Sequence, residues 1–261
     1  MIKTIWKAFV VAFSIYSKIP MPRFQWESDD MKYHLCFFPW VGAVIGLLEG
    51  AWYFFSTGKG IGALPYVMVA LAIPLLITGG FHVDGFMDTC DALHSYQERE
   101  KKLEILKDPH IGAFAVICLV IYFLLAGGFL ALLYERVTDP GIMIVCALVF
   151  VLSRALSGIG VVTMKGAKKK GMLQTFSETA VKNKVLFLLG LQALLCAGGM
   201  ICVSYMAGLF ACGAVLLVWI YYARMSEKEF GGITGDLAGY FVSLAELIAL
   251  IAVSVGTIFL V

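Results

Sequence analysis

The sequence predicts an all-α, polytopic membrane protein with about seven transmembrane helices and an N-terminal amphipathic helix at the membrane surface. Of its 261 residues, 61% are hydrophobic and 15% are charged, whereas soluble domains carry about 45–50% apolar and about 25% charged residues. The apolar residues form stretches of about 20, the length that crosses a ~30 Å hydrocarbon layer. These stretches follow one another closely, which predicts a single integral membrane domain over residues 1–261.

The first element is the N-terminal helix. Lys3 and Lys7 precede an apolar run that ends at Tyr16, and residues 18–23 end it abruptly with two prolines. Lys7 interrupts the run and no small-residue cleavage site follows, which argues against a signal peptide. An amphipathic helix lying on the membrane surface accounts for the pattern.

Seven apolar spans follow, and the positive charges between them alternate. Seventeen of the 20 Lys and Arg residues lie in segments on one side, only Lys59 and Arg136 lie in loops on the other, and Arg154 lies inside a span. By the positive-inside rule, the N-terminus is cytoplasmic and the C-terminus is outside, as expected for a bacterial cell (inner) membrane protein. The predicted spans cover residues 33–55, 63–81, 111–134, 140–163, 184–204, 207–224 and 237–260.

Charge and cysteine content exclude several other classes of function. The net charge of +2 is nearly balanced and argues against a nucleic-acid partner. The seven cysteines include no CxxC pair, and most lie in apolar stretches, which argues against a zinc site or a disulfide framework.

The polar residues that carry chemistry begin with three aspartates. Asp84, Asp88 and Asp91 are spaced i, i+4 and i+7. On a helix advancing ~100° per residue, the three carboxylates share one narrow stripe. Three like charges repel one another, and oxygen-only ligands suit a hard cation, so the stripe predicts a Mg²⁺ site. A solvated acidic helix face is the alternative interpretation.

Two histidines flank this stripe. His82 and His94 are not spaced as metal ligands, and no cysteine completes a set with them. Both are predicted to be polar surface residues, and His82, which adjoins the acids, is also a candidate for substrate contact.

A charged segment follows at residues 98–108. Its first part alternates in charge, which is typical of a solvated helix face. Lys107 and Asp108 differ because they lie where the chain re-enters the membrane. A lysine there is suited either to binding phosphate or to anchoring the helix at the interface.

Charged residues also occur inside the spans. An intramembrane arginine costs at least ~2.5 kcal/mol, so Arg154 marks a function or a paired acid. Glu246 lies about three turns into the last span and requires a partner or a proton, whereas Glu49 lies near an outer end and can reach water.

The last polar segment is glycine-rich. Residues 230–236 read Phe-Gly-Gly-Ile-Thr-Gly-Asp and open the last span. Such a loop presents backbone N–H groups to an anion, and Asp236 is suited to bind metal or to cap the helix. The lysine cluster at residues 165–170 is interpreted as a topology determinant, with attraction of a polyanionic substrate as the alternative.

Taken in order, these segments resemble the cobalamin synthase family of membrane transferases. The resemblance spans nearly the whole chain, and order and spacing match throughout. Ala92 and Ala115 stand where the family pattern leads us to expect glycine, which are small-for-small changes. The matching segments are residues 13–22, 37–42, 80–85, Asp88, Asp91, 107–108, 111–112 and 231–236.

The resemblance implies the reaction. Adenosylcobinamide phosphate is transferred from adenosylcobinamide-GDP to α-ribazole or its 5′-phosphate, with release of GMP and with Mg²⁺ as cofactor. It also implies membrane lipid around the protein, and leaves open a homo-oligomer or association with other enzymes of corrinoid assembly.

On this hypothesis, the metal is held by the aspartate stripe, with Asp108 or Asp236 completing its shell, and one aspartate takes the hydroxyl proton. Lys107 and Arg154 hold phosphate oxygens. The catalytic set is Asp84, Asp88, Asp91, Lys107 and Asp108, and the substrate-binding set is His82, Arg154, Gly232, Thr234 and Asp236.

Two other classes fit less well. A CDP-alcohol phosphotransferase of lipid synthesis has a similar acidic stripe, but Phe86 and Met87 follow Asp84-Gly85 where that family has Ala-Arg. A secondary transporter is suggested by Glu49 and Glu246 in the spans, yet no inverted repeat is evident.

Overall fold

The computed structural model describes residues 2–167 and 172–259. Lys168, Lys169 and Lys170 of the predicted lysine cluster lie outside the described residues. Within those ranges the chain is α-helical, which confirms the predicted fold class. The helices are α1 (Ile2–Tyr16), α2 (Phe38–Lys59), α3 (Ala63–Thr78), α4 (Phe81–His94), α5 (Arg99–Ile105), α6 (Ala113–Arg136), α7 (Pro140–Thr163), α8 (Met172–Thr179), α9 (Lys182–Val203), α10 (Tyr205–Met225) and α11 (Gly235–Phe259).

Six helices in the described part of the chain are long and apolar enough to cross a membrane, namely α2, α6, α7, α9, α10 and α11. They coincide with six of the seven predicted spans. The predicted span over residues 63–81 is different, because α3 ends at Thr78 and α4 leaves it at an angle of 94°. This bent pair is a broken span or a re-entrant loop, so the described residues include six helices able to span a membrane, or seven spans if the bent pair counts as one.

The break between α3 and α4 has a local cause. Gly79 and Gly80 both adopt left-handed backbone angles, with φ of 72° and 81°. Only glycine adopts such angles at no steric cost, so the pair ends one helix and redirects the next. The Thr78 hydroxyl donates to the Pro74 carbonyl, and the Lys18 N–H donates to the Ile77 carbonyl, which closes the end of α3.

The centre of the bundle is α7, which packs against α2, α9, α10 and α11. Small residues permit the closest of these approaches. A Cβ added at Gly46 would lie 2.5 Å from the Ala147 carbonyl oxygen, and one at Gly42 would overlap the Phe150 carbonyl. Close backbone approach at small residues is how membrane helices gain packing energy without a hydrophobic driving force.

The N-terminal helix α1 is present as predicted, although its position at a membrane surface remains a prediction. It buries Ala8, Val10 and Val11 completely and packs on the turn His34–Phe37. Trp6 on the same helix stays 55% exposed. This division of faces is typical of a helix with one side on protein and the other at an interface.

Candidate active site

The aspartate stripe is helical throughout, because Asp84, Asp88 and Asp91 all lie within α4. Asp84 is exposed, and the other two are half-buried. The opposite face of α4 packs into the protein through Gly85 and Thr89. The sequence therefore presents the three carboxylates together on the open side of one helix.

A fourth aspartate joins the stripe through close packing of α4 on α11. A Cβ added at Gly85 would lie 2.9 Å from the Asp236 Cα atom, and one at Gly239 would lie 3.0 Å from the His82 carbonyl oxygen. Two glycines thus let the start of α11 approach α4. As a result, the charges of Asp84, Asp91 and Asp236 all act on the Asp88 carboxyl.

Asp91 has a second contact that the sequence did not reveal. Its Oδ1 accepts the N–H of Ala115 at 3.3 Å, in the first turn of α6. A Cβ at Gly112, the residue preceding α6, would overlap this carboxylate. Asp91 therefore acts as a cap supplied from another helix, and the partial positive charge of the α6 N-terminus offsets part of its negative charge.

The donor set fits the chemistry of Mg²⁺. The cluster offers carboxylate oxygens only, and their mutual repulsion favours a cation among them. No three carboxylate, histidine or cysteine side chains in the described ranges converge closely enough to enclose a metal ion by themselves. Mg²⁺ commonly takes one or two carboxylates and fills its shell with water and substrate phosphates, which this open arrangement allows.

The glycine-rich segment is arranged differently from the predicted anion cradle. The N–H groups of Gly231, Gly232 and Ile233 donate to the carbonyls of Glu227, Ser226 and Lys165. These three donors are therefore engaged within the protein. A Cβ at Gly232, which has φ of 145°, would overlap the Lys165 carbonyl, so glycine is required there by the backbone.

The cap of α11 is Thr234 and not Asp236. The Leu237 N–H donates to the Thr234 hydroxyl at 3.2 Å, and that hydroxyl donates to Asp236 Oδ2 at 3.3 Å. Thr234 is buried, with 5% exposure. The predicted capping role of Asp236 is thus wrong, because a hydroxyl at the residue before the helix reaches the third N–H directly.

Lys107 and Asp108 lie on the surface between α5 and α6. Asp108 Oδ1 accepts the His110 N–H at 3.0 Å and contacts His110 Nδ1 at 2.6 Å. The hydrogen bond from the His110 backbone, aided by its side chain, lowers the pKa of Asp108. This carboxylate stays ionised, which suits a charge role better than proton acceptance.

Two residues that sequence reasoning assigned to a solvated face are part of this assembly. Lys102 is only 7% exposed and its Nζ lies 2.5 Å from Glu229 Oε2. Arg99 Nη2 donates to the Glu227 and Lys228 carbonyls at 3.2 and 3.1 Å. A signal was present, because Arg99, Lys102 and the buried Leu106 are spaced i, i+3 and i+7 on one helix face.

His82 and Arg154 meet on the inner side of α4. Both line a cavity of about 120 Å³ inside the bundle, and no aspartate of the stripe is among the described residues that line it. His82 is 5% exposed, so its prediction as a surface residue is wrong: it lies about 160° around α4 from Asp84, on the packed face.

Arg154 already has a partner in this cavity. Its Nη1 donates to Glu246 Oε1 and, at 2.9 Å, to the Phe150 carbonyl. Of the two acids inside the predicted spans, Glu246 is the partner of the intramembrane arginine, which is one of the two interpretations that the sequence offered for Arg154. Contact of Arg154 and His82 with substrate stays a prediction.

The fold is that of a multi-pass membrane protein. Its candidate site is lined by carboxylates and lies where α4 packs against the start of α11. A family model described as Cobalamin-5-phosphate synthase matches residues 8–254. The chain therefore belongs to this family and is a transferase.

Individual relatives carry a more specific name. A protein of Lachnoclostridium phytofermentans named adenosylcobinamide-GDP ribazoletransferase is 43% identical over 94% of this chain and 92% of its own length. Proteins of the same name from Clostridium perfringens and Geobacillus kaustophilus are 30% and 33% identical over at least 94% of both chains. No solved structure matches the chain.

Proposed function

We propose that this protein transfers adenosylcobinamide phosphate from adenosylcobinamide-GDP to α-ribazole or α-ribazole 5′-phosphate, releasing GMP, in a Mg²⁺-dependent late step of vitamin B12 assembly. The observation that carries the proposal is the cluster of Asp84, Asp88 and Asp91 on α4, with Asp236 brought beside it where α11 packs against Gly85. Neutralising a diphosphate is the chemistry that such a cluster supports once a divalent cation is bound.

Asp84 and Asp88 would hold the metal, because they lie one helical turn apart on the open face of α4, where Asp84 is exposed and Asp88 is partly exposed. Bound there, Mg²⁺ supplies charge neutralisation on the diphosphate oxygens. Asp236 would be a better further ligand than Asp108, since it packs against α4 at Gly85 whereas Asp108 is exposed between α5 and α6. Asp91 contributes through the oxygen not engaged with α6.

The chain's own residues then orient the two reactants. A free hydroxyl oxygen of the ribazole ribose, which is not the 5′-oxygen when that oxygen carries phosphate, forms a bond to the phosphorus that bears cobinamide, and the bond from that phosphorus to the GMP oxygen breaks, so GMP leaves with the electron pair. The proton of the hydroxyl passes to an aspartate of the stripe. Lys107, which is exposed between α5 and α6, holds a phosphate oxygen as a point charge.

We place the site on the cytoplasmic side of a bacterial cell membrane, with the C-terminus outside. Seventeen of the 20 Lys and Arg residues support this orientation. Backbone pairing supports it as well, because Ile233 exchanges hydrogen bonds with Lys165 and Ala167 at 2.8 and 2.9 Å. This pairing joins two polar loops that must therefore share one side of the membrane.

The test is GMP release by the purified protein from adenosylcobinamide-GDP and α-ribazole 5′-phosphate in nanodiscs, with and without Mg²⁺. Asp88→Asn is expected to lower turnover at least about 10²-fold, the usual scale for a proton-transfer or charge-stabilising group. Glu104→Gln is the matched control, since Glu104 is an exposed carboxylate that pairs with Lys101 on the same helix.

Each outcome discriminates between assignments. Mg²⁺-dependent release that Asp88→Asn abolishes, in a variant that remains folded, supports both the reaction and the cluster. Release that survives the substitution refutes the site assignment and leaves the family standing. A folded wild-type protein that releases no GMP refutes the proposed reaction, and a CDP-linked donor is then the next substrate to supply.

A further inference from the structure

One face of the short charged helix α5 binds a neighbouring turn through an ion pair and hydrogen bonds. Lys102 Nζ lies 2.5 Å from Glu229 Oε2, with side-chain exposures of 9% and 26%. One turn earlier, Arg99 donates to the Glu227 and Lys228 carbonyls. All of these partners lie in the single π-helical turn Ser226–Phe230. Single π-helical turns are frequent at functional sites.

That turn leads directly into the fourth aspartate. Gly231, with φ of 75°, ends the turn, and a Cβ added there would lie 2.9 Å from Arg99 Nη1. From the other side, Ile233 is paired through its backbone with residues 165–167. The path from Glu229 to Asp236 is thus fixed at two points, and α5 provides one of them.

The same helix also sets the position of Lys107 and Asp108. Leu106, at the end of α5, is 6% exposed, and the N–H groups of Lys107 and Asp108 donate to the Glu104 and Ile105 carbonyls. These two surface residues therefore move with α5. α5 also follows α4 after only a few residues, so it is linked to the aspartate stripe, to the Lys107–Asp108 segment and to the turn that precedes Asp236.

We propose that Lys102, together with Glu229 and Arg99, is a positioning device for the transfer reaction, which holds Asp236 and the Lys107–Asp108 segment in register with the aspartate stripe. The inference rests on the proposed function of the site. Neither Lys102 nor Glu229 touches the reacting atoms. They act because a displacement of about 1 Å at a phosphoryl-transfer site costs on the order of 10²-fold in rate.

A neighbouring ion pair on α5 is an exposed surface pair and serves as the comparison. Lys101 and Glu104 are 62% and 64% exposed and pair within the helix. Exposed pairs of this kind contribute little. Lys101→Met is therefore a matched control for Lys102→Met, because the same change is made one residue away with no contact to the turn.

The experiment measures kcat, KM for adenosylcobinamide-GDP and the Mg²⁺ concentration for half-maximal GMP release, for wild type, Lys102→Met, Glu229→Gln and the double variant. Each single variant is expected to lower kcat about 10-fold and to raise the half-saturating Mg²⁺ concentration several-fold. The double variant is expected to be no worse than either single one, because the pair acts as a unit. Hydrogen exchange at residues 231–238 is expected to become faster in the variants, and Lys101→Met is expected to match wild type.

Wild-type kinetics and Mg²⁺ dependence in folded Lys102→Met would overturn the inference, as would a loss confined to the amount of folded protein. Should Lys102→Met fail to fold, Glu229→Gln gives the same readouts from the more exposed partner. A wild-type protein without GMP release would overturn the proposed function first. An active wild type with unaffected variants would overturn only the positioning role.

Discussion

The two faces of α4 differ in the charges that surround them. On its open face, Asp84, Asp88 and Asp91 act on one another, with Asp236 added from α11. On its packed face, His82 lines a cavity in which Arg154 and Glu246 form an ion pair. Both faces place ionisable groups close to the membrane interior, and the sequence alone marks both as unusual.

The difference between the faces lies in what the charges require. The Arg154–Glu246 pair brings two opposite charges together and so needs no added ion to balance it, although the buried Arg154 Nε has no hydrogen-bond partner among the described residues. A cluster of like sign is stabilised only by an added cation. An intramembrane charge is therefore by itself a weak sign of catalysis, and an exposed cluster of one sign is a stronger one.

The largest expected effect comes from breaking the buried pair. Arg154→Leu leaves Glu246 without its partner and is expected to destabilise the protein by about 3–5 kcal/mol. Arg154→Leu combined with Glu246→Leu is expected to recover most of that loss, because neither charge remains buried. Thermal unfolding in detergent measures both. If the stable double variant shows a strongly raised KM for adenosylcobinamide-GDP, Arg154 contacts substrate and the contrast between the faces fails.

On the open face the effect is expected in rate and not in stability. Asp84→Asn is expected to lower GMP release on the order of 10²-fold. Its melting temperature should stay equal or rise, since removing one like charge relieves repulsion on Asp88. Parallel measurements of turnover and unfolding check this. A variant that loses stability and keeps its turnover would show that Asp84 serves the fold.

Asp91 is both a cap for α6 and a candidate metal ligand, and two substitutions separate these two roles. Asp91→Ala removes the acceptor for the Ala115 N–H and is expected to cost about 1 kcal/mol, the usual value for a helix cap. Asp91→Asn keeps an acceptor oxygen and is expected to cost only a few tenths of that. Both should lower turnover if the charge matters for the metal. Equal stability of the two variants would argue against the capping role.

The smallest expected effect concerns Asp108. Because hydrogen bonds from His110 lower the pKa of this carboxyl, removing the side-chain bond raises it. His110→Ala should therefore let Asp108 take up a proton at a higher pH, so the acid limb of the GMP-release profile moves upward in pH. The backbone bond remains, which keeps the shift small. An unchanged acid limb would remove Asp108 from the charge balance of the reaction.

Much of the site followed from periodicity. The stripe required only that Asp84, Asp88 and Asp91 share a helix, and α4 provides this. An acidic partner for Arg154 could be expected, because an acid also lies inside a span. Asp236 was foreseen as a candidate ligand, but its approach to the stripe depends on Gly85 and Gly239, whose role appears only when two helices are packed.

What escaped prediction was long-range. The Lys102–Glu229 pair joins residues 127 positions apart, and the Asp91 cap on α6 joins residues 24 positions apart. The spacing of Lys102 with Arg99 and Leu106 could have marked a packed face, but neither partner can be read from a local pattern, so Lys102 was interpreted as solvated. His82, on the opposite face from the acids, was interpreted as exposed. The lysine is buried because its stem covers apolar surface while its charge meets a partner.

The sequence by itself determined the all-α membrane architecture, the order of the spans and the shared face of the three aspartates. It could do so because hydrocarbon thickness and the helical repeat act on neighbouring residues. The tertiary structure decided the break after Thr78, the placement of Asp236 and the contact of α5 with the turn Ser226–Phe230. These depend on which helices pack together, and packing is decided by complementary surfaces that no single segment encodes.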